Sequence, residues 1–102
     1  MVSMAALDNP KIKQLRILVF GNVQGVFFRA FAKQAADSLG LKGWVKNLPD
    51  GSVEAIAQGS EEKLDEFLKL LKKGLPASRV DSVNFEFEKI KEEFVDFVIK
   101  YS

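Results

Sequence analysis

The sequence predicts an α+β domain in which two helices pack on one face of an antiparallel sheet of four to five strands. Five short segments have the composition of strands, and two longer segments repeat apolar residues with the helical period. These segments follow one another in the order β-α-β-β-α-β, with a short final strand. That order is the split βαβ arrangement of a ferredoxin-like sandwich. A chain of 102 residues is long enough to bury one core of this kind.

The first strand is predicted over residues 14–21. Both of its faces are largely apolar, so we expect it in the centre of the sheet. A helix is predicted over residues 27–39, because apolar and small side chains recur there at every fourth position. Gly40 follows this helix and is suited to a left-handed C-cap.

Two short strands are predicted over residues 41–47 and 52–58. Leu-Pro-Asp-Gly at residues 48–51 joins them, and Asp-Gly between two strands is typical of a hairpin. Asp50 is therefore interpreted as a turn residue and not as a general base. Trp44 is interpreted as a core residue, because large aromatic side chains are usually buried.

The second helix is predicted over residues 61–73, with Ser60 as its N-cap and Gly74 at its end. Its first turn carries acidic residues and its last turn basic ones, and both favour the helix dipole. A long strand over residues 79–89 and a last strand over residues 94–101 complete the pattern. A charged loop separates these two strands.

Two segments are predicted along the chain: an N-terminal extension over residues 1–13 and one folded domain over residues 14–102. The sequence contains no cysteine and no histidine. Disulfides, thiolate nucleophiles, cysteine-ligated zinc and Ser-His-Asp triads are thereby excluded. Any chemistry has to use arginine, lysine, amide, carboxylate, hydroxyl or backbone groups.

The charges are nearly balanced, with a net charge of +1 and a sequence pI near 7.9. This balance gives no reason to expect nucleic acid or an anionic membrane as a partner. The first ten residues lack the basic start and apolar core of a signal peptide. We therefore expect a cytoplasmic location. A monomeric state is a separate expectation.

A glycine-bearing turn joins the first strand to the first helix, as Gly-Asn-Val-Gln-Gly-Val-Phe-Phe-Arg at residues 21–29. Such a turn can direct several backbone N–H groups at one point, and the start of the helix adds its own free N–H groups and dipole. Together they predict an anion site. The alternative is a tight strand-to-helix connection with no ligand.

Two side chains stand out beside this turn. Arg29 lies in the first turn of the predicted helix, where a cation opposes the dipole unless an anion is recruited. Its guanidinium matches phosphate oxygens, although a surface arginine paired with a carboxylate is the alternative. Asn47 ends the second strand, where asparagine also suits a turn. A role for Asn47 in the anion site requires a strand order that places it beside the glycine turn.

Residues 21–29 resemble the signature of the acylphosphatase family. Gly-Trp-Val-Lys-Asn at residues 43–47, followed by Asp-Gly-Ser-Val-Glu at residues 50–54, is similar to that family's second signature, and the spacing between the two also matches. The resemblance covers residues 14–102. It implies the split βαβ fold already indicated by the order of elements. It also implies hydrolysis of the carboxyl–phosphate anhydride of acyl phosphates, with no metal and no cofactor.

The resemblance also implies roles for individual residues. Arg29 would bind the phosphoryl group and Asn47 would hold the attacking water. Six backbone amides would complete a phosphate cradle. The cradle residues are Gly21, Asn22, Val23, Gln24, Gly25 and Val26. Members of the family often carry a basic residue or histidine where this chain has Asn22, so the departure bears on anion affinity.

Two other interpretations remain open from the sequence. The same fold hosts binding modules, so a non-catalytic anion- or RNA-binding domain is one alternative. RNA-recognition versions stack bases on aromatic residues of central strands, whereas residues 52–58 contain none. The other alternative follows from related domains at the front of larger carbamoyl-transferring proteins, for which the substrate would be carbamoyl phosphate.

Overall fold

The computed structural model describes residues 12–101. Its elements follow the predicted βαββαβ order with a short fifth strand, which confirms the fold class. They are β1 (Ile12–Asn22), α1 (Phe28–Ser38), β2 (Lys42–Asn47), β3 (Val53–Ser60), α2 (Glu61–Lys73), β4 (Arg79–Glu88) and β5 (Phe97–Lys100). β1 starts two residues earlier than predicted. Most of the predicted N-terminal extension, residues 1–11, lies outside the described residues.

The five strands form one sheet in the order β4-β1-β3-β2-β5. β1 pairs antiparallel with both β3 and β4, as expected for a central strand. β2 pairs antiparallel with β3, but β2 and β5 are parallel, so the sheet is antiparallel with one exception. The exception follows from the topology. The chain reverses between β4 and β5, and β2 already runs opposite to β4.

The core lies between the sheet and the two helices. Leu15, Ile17 and Val19 face the helices from β1 and are at most 1% exposed. Phe67 of α2 and Phe97 of β5 meet edge to face, with ring centroids 5.9 Å apart. Burying side chains of this size stabilises the fold by about 1.5–3 kcal/mol each. Small alanines on the buried face of α1 let that helix lie close to the sheet.

Both helices are capped as their sequences predict. The Ser60 hydroxyl accepts a hydrogen bond from the Lys63 N–H at 3.2 Å, which caps the start of α2. Gly40, with φ of +71°, follows α1 in the left-handed conformation. The Leu41 N–H then donates to the Ala36 carbonyl at 2.9 Å, which completes a Schellman motif.

The prediction that Trp44 is a core residue was wrong. Gly43 and Val45 of β2 are buried on the helix side, so the alternation of the strand places Trp44 on the opposite, helix-free face. Its ring is half-buried there, with the ammonium groups of Lys46 and Lys100 at 5.2 and 4.3 Å from the centroid. The general tendency of large aromatic side chains to be buried does not indicate which face of the sheet the helices will cover.

Candidate active site

A pocket of about 270 Å³ opens where the β1–α1 turn, the end of β2 and the end of the chain meet. It combines backbone of the glycine turn with side chains from α1, β2 and β5. Both side chains predicted to act on phosphate, Arg29 and Asn47, line it. The full lining is Val23, Gly25, Phe27, Phe28, Arg29, Ala30, Asn47, Ile99 and Tyr101.

The turn over residues 23–27 supplies unpaired backbone donors. Within residues 12–101, the N–H groups of these five residues make no hydrogen bond to another group of the protein. The first N–H groups of α1 add to them, because the start of a helix leaves its amides without partners. The turn therefore meets the main requirement of a backbone anion site.

The structure divides the predicted cradle. Val23 and Gly25 line the pocket, whereas Gly21 and Asn22 belong to β1 and pair with Val80 and Arg79 of β4. A β-carbon on Gly21 would overlap the Arg79 carbonyl oxygen, so this glycine permits close strand approach. The register between β1 and β4 shifts between Phe20 and Gly21, shortly before the chain leaves β1 and enters the turn.

The two remaining cradle residues hold the turn in place. The Gln24 side-chain amide donates to the Leu48 and Ser52 carbonyls, each at 2.8 Å. Leu48 and Ser52 flank the tip of the β2–β3 hairpin, so Gln24 ties the glycine turn to the loop that follows Asn47. Val26 packs against the buried core. Sequence reasoning missed the role of the Gln24 side chain.

Arg29 is the second residue of α1, whose first turn has no acidic residue. Its Nη1 donates to the Lys100 carbonyl at 3.1 Å, and its guanidinium lies 4.6 Å from the centroid of the Tyr101 ring. Arg16 and Arg79 pair with carboxylates, but Arg29 has no carboxylate partner within residues 12–101. This geometry rules out the carboxylate-paired alternative for that part of the chain.

Asn47 is the last residue of β2 and lines the same pocket as Arg29. Its Oδ1 is buried, and no donor of residues 12–101 reaches it. Such an atom is unfavourable unless something else donates to it. Asn47 thus lines the pocket and carries a buried acceptor that lacks a donor among residues 12–101.

The hairpin turn is made by Asp50, as predicted. Its Oδ1 accepts from the Ser52 hydroxyl at 2.5 Å and from the Ser52 N–H at 2.9 Å. These two bonds, the hydroxyl first, hold the pKa of Asp50 below its usual value of 3.8. A carboxylate of lowered pKa is a poor base, and Asp50 does not line the pocket.

Three residues that line the pocket were not predicted as site residues. Phe27 has φ of +64° and its side chain is 83% exposed. Ile99 and Tyr101 reach the pocket because β5 pairs with β2, and no local pattern predicts that pairing. For Phe27 no sequence signal was available, because bulky residues seldom adopt positive φ.

Within residues 12–101, the turn offers amides without partners and Arg29 offers a cation without a carboxylate, which makes this pocket suited to a tetrahedral oxyanion. Fold and pocket together define an α+β sandwich with a pocket lined by the turn between β1 and α1. The acylphosphatase family model matches residues 15–99. The chain belongs to the acylphosphatase family.

Individual relatives agree with this assignment. An acylphosphatase of Caldivirga maquilingensis is 47% identical over 86% of this chain and 94% of its own length. An acylphosphatase of Bacillus licheniformis is 49% identical over 86% of this chain and 98% of its own. A crystal structure of acylphosphatase from Bacillus subtilis superposes with a TM-score of 0.84 at 43% identity, covering 87% and 99% of the two chains. These matches support hydrolysis of acyl phosphates and do not favour a non-catalytic module.

Proposed function

We propose that the pocket hydrolyses acyl phosphates by in-line attack of a water molecule on the phosphorus atom. One observation carries the proposal. Arg29, which has no carboxylate partner within residues 12–101, and Asn47 line one pocket. The same pocket is lined by residues of the β1–α1 turn, whose N–H groups have no partner among residues 12–101.

The phosphoryl oxygens would be held by the amides of the cradle and by the Arg29 guanidinium. The bond to the Lys100 carbonyl and the ring of Tyr101 hold that guanidinium at the pocket. Donors fixed in advance stabilise charge without reorganising, and one such donor contributes about 3–4 kcal/mol in comparable sites. In this proposal Arg29 acts on both the bound ground state and the transition state.

The Asn47 side chain, which lines the pocket, would orient the attacking water. The water oxygen forms a bond to phosphorus while the bond from phosphorus to the acyl oxygen breaks. The carboxylate leaves with the bonding electrons and needs no proton, and a phosphate oxygen takes the proton of the water. Positioning and charge stabilisation are then sufficient, so no residue of the chain has to act as a strong base.

The test is hydrolysis of benzoyl phosphate in the presence of EDTA by the unmodified protein and two variants. Arg29→Gln should lose both turnover and inhibition by inorganic phosphate. Asn47→Ala should lose at least about 100-fold in kcat while inhibition by phosphate is retained. Normal turnover by Asn47→Ala would contradict the water-orienting role.

Matched controls come from the same chain. Arg79 is exposed and paired with Asp81, and Asn84 lies exposed on β4, so both are outside the pocket. Arg79→Gln and Asn84→Ala should hydrolyse benzoyl phosphate like the unmodified protein. Loss of activity in either control would show that the effects at Arg29 and Asn47 are not specific to the pocket.

The two alternatives, a non-catalytic binding module and a domain of a larger carbamoyl-transferring protein, receive less support. A crystal structure of full-length HypF matches at 30% identity with a TM-score of 0.77, and the match covers 87% of this chain but 12% of that one. Carbamoyl phosphate can be tested beside benzoyl phosphate in the same assay.

No helix among residues 12–101 is long and apolar enough to cross a membrane. Cytoplasmic location, a monomeric state and the absence of a nucleic-acid partner stay predictions.

A further inference from the structure

Phe27 combines two unfavourable features at one position. Its backbone is left-handed, with φ of +64° and ψ of +23°, and its side chain is 83% exposed. It is the only non-glycine residue with positive φ among residues 12–101. It precedes α1 as the N-cap, but its side chain makes no capping hydrogen bond. Strained conformations of this kind cluster at ligand sites.

Phe27 lines the pocket together with the apolar side chains of Ile99 and Tyr101, although most of its own surface is exposed. The lining of the pocket therefore combines two polar side chains, Arg29 and Asn47, with apolar ones. A pocket of about 270 Å³ suits a small ligand that is itself charged at one end and apolar at the other.

We propose that the Phe27 ring binds the acyl part of the substrate and makes the site prefer acyl phosphates with an aromatic or other apolar acyl group. The inference rests on the proposed function, because it assumes that the phosphoryl group lies against Arg29. Tyr101 also lines the pocket, but its ring stacks on the Arg29 guanidinium. A change at Tyr101 would disturb phosphate binding as well, so Phe27 is the cleaner probe.

The informative variant is Phe27→Gly. Glycine accepts positive φ without a steric cost, so the variant keeps the turn and is expected to fold. The ratio of kcat/KM for benzoyl phosphate to that for acetyl phosphate should fall about 3- to 10-fold, the range expected for loss of one aromatic contact. Inhibition by inorganic phosphate should not change. Phe27→Tyr keeps the ring and should keep the ratio.

A control and a second measurement complete the design. Val95 is 84% exposed and lies outside the pocket, so Val95→Gly removes an exposed apolar side chain without effect on the ratio. Binding of benzylphosphonate and methylphosphonate, measured by calorimetry, needs no turnover. The unmodified protein should prefer benzylphosphonate, and Phe27→Gly should lose that preference.

The outcomes separate the two proposals. If the unmodified protein hydrolyses neither acyl phosphate, the proposed function fails, while the phosphonate measurement still decides the role of Phe27. If hydrolysis is normal but Phe27→Gly changes neither the kcat/KM ratio nor the phosphonate preference by more than twofold, the acyl-binding role of Phe27 is wrong.

Discussion

Replacing Gln24 with alanine tests whether the side chain that ties the glycine turn to the hairpin also supports catalysis. The change removes both hydrogen bonds from the Gln24 amide to the Leu48 and Ser52 carbonyls. Each bond contributes about 0.5–1.5 kcal/mol net, which gives about 1–3 kcal/mol for the pair. Both carbonyls keep a backbone donor, Gly51 N–H for Leu48 and Leu48 N–H for Ser52. Neither oxygen is orphaned, so the lower half of that range, about 1–2 kcal/mol, is expected.

Urea titration measures this loss in the free energy of unfolding, and benzoyl phosphate hydrolysis measures its effect on the site. We expect kcat/KM to fall about tenfold or more, because a displacement of the turn by 1 Å can cost far more than the bonds themselves. Gln34 is exposed on α1, and Gln34→Ala is the matched control for both assays. A Gln24→Ala protein with unchanged stability and unchanged kcat/KM would refute this reasoning.

Three further predictions concern stability. Gly43→Ala should cost about 3 kcal/mol or more in urea titration, because the added β-carbon would overlap the Ile56 carbonyl oxygen. A β-carbon added at Gly25 would meet no atom within 4 Å, so only the positive φ of this residue opposes Gly25→Ala. The free energy of unfolding should therefore fall by about 1 kcal/mol. Asp50→Asn should be less stable than the unmodified protein at pH 7. The folded-state pKa of Asp50 is lowered by Ser52, so the stabilisation is present above pH 3.8 and is lost as the pH falls through the folded pKa. The difference between the two unfolding free energies should therefore shrink in acid, and a constant difference down to pH 2 would contradict the assignment.

Local sequence patterns were sufficient for the order of elements. The Ser60 cap and the Asp50 hairpin each depend on residues within a few positions of one another, and both were confirmed. The prediction that Trp44 is a core residue was wrong for a physical reason. Its strand has a covered face and an open face, and only the packing of both helices on one side decides which is which.

The site itself depends on contacts between distant segments. Arg29 and Asn47 were predicted as site residues from the resemblance of their motifs, but their meeting in one pocket needs β2 to lie inside the sheet. Tyr101 stacks on Arg29 only because β5 crosses to the edge beside β2. Pairings of that kind are non-local, and the periodicity of a single segment carries no information about them.

The central claim is that water attacks phosphorus in this pocket, and single-turnover hydrolysis of benzoyl phosphate in ¹⁸O-labelled water tests it most directly. Mass spectrometry of the two products shows which atom was attacked. One ¹⁸O atom in the inorganic phosphate and none in the benzoate is the expected result. Label in the benzoate would place the attack at the acyl carbon and would contradict the roles proposed for Arg29 and Asn47.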